Sequence, residues 1–153
     1  MRIVAVDPGA HSIAWAAFEE TRLRGCDFDE AGDRQELAGK IHQRMSRLLR
    51  DGFQAVIELP QIYDQRRWRG DPNDLVMVAV TVGMVAQVMN GRAELVHPHD
   101  WKGSRSKEID HPVTLGLLDE TELHILESVK VLKSKHHNIL DAIGIGLWKV
   151  GRR

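Results

Sequence analysis

Two strand-like runs, Arg2-Ile3-Val4-Ala5-Val6-Asp7 and Phe53-Gln54-Ala55-Val56-Ile57-Glu58, each end on a carboxylate, followed by Pro8-Gly9 and Leu59-Pro60 respectively. Short apolar runs of this kind suit strands buried on both faces. An unpaired charge taken out of water costs several kcal/mol or more, so each carboxylate belongs at the open end of its strand, where ligands bind. A third acid, Asp141, opens an apolar, helix-like segment, Asp141-Ala142-Ile143-Gly144-Ile145-Gly146-Leu147-Trp148. Three carboxylates aimed at one point from separate elements are what a hard divalent cation requires. A Mg²⁺-dependent phosphodiester enzyme is the expectation that follows.

The order of elements points to an α/β domain. Arg2–Asp7 and Ser12–Phe18 read as strands joined by the turn Pro8-Gly9-Ala10-His11, and a weaker strand follows over about residues 21–28. This spacing is that of an antiparallel meander. Leu37, Ile41, Met45, Leu48 and Leu49 recur at helical spacing between Asp33 and Arg50, and Gly52 stops that helix. After the strand ending at Glu58, 59–72 reads as a polar loop. A helix capped by Asn73 or Asp74 then runs to about Met89, a strand covers 92–97, and 98–110 reads as a loop. Helices are expected over 112–119, 121–132 and 139–150. The whole, 1–153, is expected to be one domain with a mixed sheet flanked by helices.

A chain of 153 residues, 42% hydrophobic and 28% charged, can bury a core of its own. The longest apolar run, Leu75 to Met89, is shorter than the roughly 20 residues a membrane span needs, so a buried or subunit-facing helix is expected and no membrane association. No N-terminal signal pattern is present. The single cysteine, Cys26, cannot pair within the chain, which suits a reducing cytoplasm. Net charge is only −1, but it is unevenly distributed. Arg66, Arg67 and Arg69 follow Glu58; Lys102, Arg105 and Lys107 form a second group; and Lys130, Lys133, Lys135, Lys149, Arg152 and Arg153 form a third. Local basic patches on a near-neutral protein suit a polyanion gripped at one face.

The motifs V-A-V-D-P-G-A-H-S-I-A-W-A, V-I-E-L-P and H-N-I-L-D-A-I-G-I-G-L, in this order and at this spacing, resemble the RuvC-type Holliday-junction resolvases of the ribonuclease H-like superfamily. The resemblance spans nearly the whole chain. It implies a five-stranded mixed sheet, a homodimer, and cleavage of four-way DNA junctions with two Mg²⁺ ions, for which Mn²⁺ is expected to substitute. By position it makes Asp7, Glu58 and Asp141 metal-binding acids and puts Lys102 where the family has a lysine important for cleavage. Two positions depart from the pattern. Ala14 stands where the family often has glycine. Asn138 stands one helical turn before Asp141, where the family usually has a further Asp or His ligand. His137, one residue further back, shares that helix face, so either His137, as ligand or proton shuttle, or Asn138 is the candidate fourth contact.

Two Mg²⁺ ions about 4 Å apart can activate a water and stabilise the leaving oxygen of an in-line displacement. Asp7, on the first and central strand, is expected to bridge them, with Glu58 and Asp141 each completing one shell. In the loop after Glu58, Tyr63 or Trp68 can stack on unpaired bases while Arg66, Arg67 and Arg69 hold phosphates; Lys102, Arg105 and Lys107 are expected to add to the DNA grip, and Trp101 to anchor its own loop. A twofold dimer built on the Leu75–Met89 helix would supply two symmetry-related nicks. Actin-like ATPases and sugar kinases begin similarly but need a second domain, and no Walker A sequence is present. A nuclease acting on an RNA–DNA hybrid or a flap, and a junction-binding protein impaired in catalysis, are the alternatives.

Overall fold

The computed structural model describes residues 1–61 and 71–153. Its strands are β1 (Arg2–Pro8), β2 (Ser12–Glu19), β3 (Arg22–Glu30), β4 (Gln54–Glu58) and β5 (Ala93–Val96). They form one mixed sheet in the order β3-β2-β1-β4-β5. β1, β2 and β3 pair antiparallel as a meander, whereas β4 runs parallel to β1 and β5 parallel to β4. The helices are α1 (Arg34–Arg50), α2 (Pro72–Val88), α3 (Pro98–Lys102), α4 (Lys107–Gly116), α5 (Glu120–Glu127) and α6 (His136–Lys149). Among the described residues no helix is long and apolar enough to cross a membrane.

The period-2 alternation of the strands decides which acids meet. Val4 and Val6 of β1, with Ala55 and Ile57 of β4, pack on the side of α1 and α2. Ile3, Ala5 and Val56 pack on the other side, with α6. Asp7 and Glu58 continue this second set. They also follow directly on the parallel pair Val6 and Ile57, so two acids far apart in sequence leave the sheet side by side on the face that α6 covers. Gly146 sets how deeply α6 docks: a Cβ there would collide with the ring of Phe18 on β2. The same helix carries Asp141, only 3% exposed, towards the strand ends.

On the opposite face, α1 starts at Asp33, whose side chain accepts a 2.8 Å bond from the Glu36 N–H, a cap worth about 1 kcal/mol. It buries Leu37, Ile41 and Met45, one per turn. Asp71, rather than Asn73 or Asp74, caps α2, because Pro72 fits the first helical position where no N–H is needed. α2 buries Thr81, Val82 and Val85. Arg34 donates to the Thr81 hydroxyl at 2.9 Å, and that hydroxyl donates to Met77 O. On its outer side Val76 and Val80 stay 60% and 41% exposed. Cys26 is buried in β3, and burial, followed by the charge of Asp27, pushes its thiol up to about 12.

Three expected boundaries are corrected. The segment 98–110, expected as a loop, contains α3 and the first turn of α4. Pro98 starts α3, and Asp100 reaches back to the His97 N–H at 2.9 Å. α4 begins well before Pro112 and runs through it. The carbonyl that Pro112 leaves without a donor belongs to Glu108, in the exposed first turn, so the proline is tolerated. α6 starts at His136 rather than 139, with Lys135 at its N-cap position, so Asn138 does not cap it.

Candidate metal and nucleic-acid site

Three elements deliver the carboxylates: β1 gives Asp7, β4 gives Glu58 and α6 gives Asp141. They sense one another. Burial, then the charges of Glu58 and Asp141, raise the Asp7 carboxyl well above its ordinary value, although Lys107 and Lys102 pull the other way. Burial also raises Glu58; Lys102 and a hydrogen bond from Trp101 oppose this and Asp141 adds to it. Two neighbouring acids with raised proton affinity are carboxylates short of positive charge.

Each of the other two acids is held by a specific partner. The Trp101 indole N–H donates to Glu58 Oε2 at 2.6 Å. Lys107 Nζ lies 2.7 Å from Asp141 Oδ2, and His111 Nε2 lies 3.0 Å from Asp141 Oδ1. Lys107 and His111 stand four apart on α4 and so share one face of it. Burial pulls the Lys107 ammonium down, but Asp141, Asp7 and Glu58 outweigh it and leave its pKa above the ordinary value. Asp7 makes no ion pair or side-chain hydrogen bond among the described residues. Nor, among them, do three Asp, Glu, His or Cys side chains close into a ready-made metal-binding group. The donor set nevertheless suits a hard divalent cation. It offers carboxylate oxygens from three rigid elements, Asp7 and Glu58 stay raised in spite of Lys102 and Lys107, and the lysine paired with Asp141 is half-exposed.

The remaining predicted residues are distributed unevenly. Lys102 lies at the rim, its ammonium 4.7 Å from the centre of the Trp101 ring, and its field acts on both Glu58 and Asp7. Trp101 is buried and bonds Glu58, a tighter role than anchoring a loop. Arg105 is committed to Asp110, Nε to Oδ1 at 3.0 Å. His137 is exposed and Asn138 half-buried on α6, and neither makes a side-chain hydrogen bond among the described residues. The imidazole against Asp141 is instead that of His111. Tyr63, Arg66, Arg67, Trp68 and Arg69 lie outside the described residues.

Much of the basic weight near residue 150 is spent internally. Arg152 holds Glu122 with both guanidinium nitrogens, at 2.6 and 2.9 Å; Arg153 pairs with Asp110; and Lys149 pairs with Glu94 at 2.5 Å. The expected third basic patch is thereby reduced, since these cations are neutralised by acids far away in sequence. A single signal for His111 existed in the sequence, its i,i+4 spacing from Lys107, but it becomes readable only once 107–116 is known to be a helix.

No protein-family model matches the chain, and no curated protein does. Among solved structures it is similar to Thermus thermophilus RuvC, at 18% identity and a TM-score of 0.67, over 97% of this chain and 92% of that one. It is similar also to T. thermophilus RuvC in complex with a Holliday junction substrate, at 17% identity and a TM-score of 0.68, with the same coverage. The meander, the two parallel strands and the flanking helices thus make up the ribonuclease H-like fold of RuvC.

Proposed function

We propose that the chain is a Mg²⁺-dependent endonuclease that cuts four-way or otherwise branched DNA, acting as a cytoplasmic homodimer of single-domain subunits. The observation that carries this is the cluster at the ends of β1 and β4. Asp7, Glu58 and Asp141 share the α6-facing side there; burial raises the first two, with the charges of Glu58 and Asp141 adding to it at Asp7 and that of Asp141 at Glu58. In the fold that the chain shares with RuvC, such a cluster is where metal-assisted phosphodiester chemistry would take place.

Asp7, Glu58 and Asp141 would hold the metal, which when bound would supply Lewis acidity and an activated water. The protein's own residues prepare the site. Trp101 fixes the Glu58 carboxylate by donating to Oε2, and His111 fixes Asp141 through Oδ1. A hydrogen-bonded carboxylate presents its free oxygen in one direction, which is how outer contacts tune metal ligands. Lys107 supplies positive charge among the acids and, with Lys102 at the rim, would meet a phosphate. His137 and Asn138 remain candidates for a further contact from α6. Tyr63 or Trp68 would stack on bases at the junction centre, with Arg66, Arg67 and Arg69 on phosphates. The exposed valines of α2, Val76 and Val80, supply an apolar face for the twofold partner.

The test is cleavage of a four-way junction, a Y-fork, a linear duplex and an RNA–DNA hybrid, each with and without Mg²⁺ or Mn²⁺. Metal-dependent paired nicks in the junction, well above those in duplex, are expected. Equal cutting of duplex, or preference for the hybrid, would replace the junction reading with a general or hybrid-directed nuclease of the same fold. Binding without cleavage is the second reading, and the Lys107–Asp141 pair favours it, because a lysine can neutralise the cluster without a metal. The same assay, read as retention on junction DNA with no nicks, would identify it.

A further inference from the structure

We propose that Arg153 is a positioning residue for both ends of the carboxylate cluster, setting Glu58 through Trp101 and Asp141 through α4. The inference rests on the metal-binding reading of those two acids. Arg153 follows α6 and turns inward, its side chain 5% exposed. One guanidinium nitrogen, Nη2, donates to Asp110 Oδ1, and the other, Nη1, donates to Thr114 Oγ1 at 3.1 Å. The guanidinium carbon lies 5.4 Å from the centre of the Trp101 ring. One side chain therefore touches α3 through Trp101 and α4 through Asp110 and Thr114. Gly144 of α6 makes the room: a Cβ there would stand 2.6 Å from the Trp101 ring and 2.7 Å from Arg153 Nη1.

Both contacts lead to the site. The indole that packs on Arg153 donates its N–H to Glu58 Oε2 at 2.6 Å. The helix gripped through Asp110 and Thr114 turns Lys107 and His111 onto Asp141, at 2.7 and 3.0 Å. Stability alone does not account for the arrangement. Replacing a buried ion pair with apolar residues of equal volume is often neutral or favourable, and here Asp110 Oδ2 and Arg153 Nε have no partner among the described residues. A guanidinium fork instead gives direction, two parallel donors at fixed angles and a flat face for an aromatic ring. Arg105 also reaches Asp110, at 3.0 Å, so removing Arg153 leaves that carboxylate with a cation, and the fold is expected to survive.

The experiment compares the parent with Arg153→Leu and Thr114→Val. Three quantities are read: the Trp101 indole N–H resonance, assigned by its loss in Trp101→Phe; Mn²⁺ affinity by calorimetry; and the melting temperature. Arg153→Leu is expected to move the Trp101 resonance and to weaken Mn²⁺ binding roughly tenfold or more, the scale of lost outer contacts to metal ligands. Thr114→Val, which removes one bond, should do the same to a lesser degree, and it carries the test if Arg153→Leu does not fold. Arg153→Lys keeps the charge without the fork and should restore little of the affinity. A change in melting temperature alone, with resonance and affinity at parent values, overturns the proposal. If the parent itself binds no Mn²⁺, the metal reading fails, and the Trp101 resonance still decides whether Arg153 sets that indole.

Discussion

Acids at opposite ends of the sheet meet opposite treatment. Near the start of β3, Glu122 is 1% exposed and fully served: Arg152 holds it with two nitrogens, and it accepts from the Leu23 N–H at 2.8 Å and from the Asp119 N–H at 3.0 Å. Burial pushes its carboxyl up, but Arg152 and those two N–H groups outweigh burial and hold it below the ordinary value. At the far end, Asp7 has like charges for neighbours and lies well above its ordinary value. The chain can plainly satisfy a buried carboxylate when structure is the goal. Where it gathers three and leaves Asp7 without an ion pair or side-chain hydrogen bond among the described residues, stability is given up, the pattern expected of a functional site.

The contrast can be broken at several points. Asp7→Asn should have the largest effect, abolishing Mg²⁺-dependent cleavage of junction DNA, a loss beyond the roughly 10–100-fold expected for an outer contact of a ligand. Junction binding should persist or strengthen, because a negative charge facing phosphate is gone; near-parent cleavage would remove Asp7 from the site. Next, Glu122→Ala should destabilise the fold by about 3 kcal/mol, as breaking a buried pair does. The double variant Glu122→Leu with Arg152→Leu should lose much less, and urea unfolding of both measures this.

The third prediction concerns pH. A carboxyl raised in the folded state favours folding only while protonated, so its contribution is present below the ordinary carboxylate range and is lost as pH rises through the raised value. Metal-free Asp7→Asn should therefore melt above the parent at neutral pH, and the gain should vanish on acidification. Glu122 has the opposite sign: its contribution is present above the ordinary range and is lost as pH falls through the lowered value. The two variants should approach the parent from opposite sides as pH drops. Mg²⁺ should raise the melting temperature of the parent and not that of Asp7→Asn. The smallest effect, about 1 kcal/mol, is expected from Asp33→Ala, which removes the α1 cap and touches neither region; it sets the scale for an ordinary surface change.

The sheet and its acids were legible because their signals are local and periodic. Alternation along β1 and β4 needs only neighbouring residues, and it sends Asp7 and Glu58 to one face. The amphipathic spacing of α1 is equally local. The partners of the acids were not legible, because they depend on α3 and α4. Pro98 reads as a loop signal and Pro112 as a helix start, yet Pro98 opens α3 and Pro112 lies within α4. With that stretch taken as a loop, Trp101, Lys107 and His111 had no common direction. Arg152 and Arg153 read as part of a basic patch for a polyanion, and nothing near them in sequence announces Glu122 or Asp110 as partners. Ion pairing across tens of residues is decided by packing and leaves no periodic trace.

The burial of Cys26 has a practical consequence. Its thiol sits in β3 with its pKa pushed up to about 12, so almost none of it is thiolate near neutral pH, and it will not compete for alkylating reagents. It is also the only cysteine in the chain. A cysteine introduced at an exposed position away from α2, such as Glu127 on α5, would then take a spin or fluorescent label alone, with no need to delete the native thiol. Distances between two such labels would test the proposed homodimer directly, in the otherwise unaltered protein.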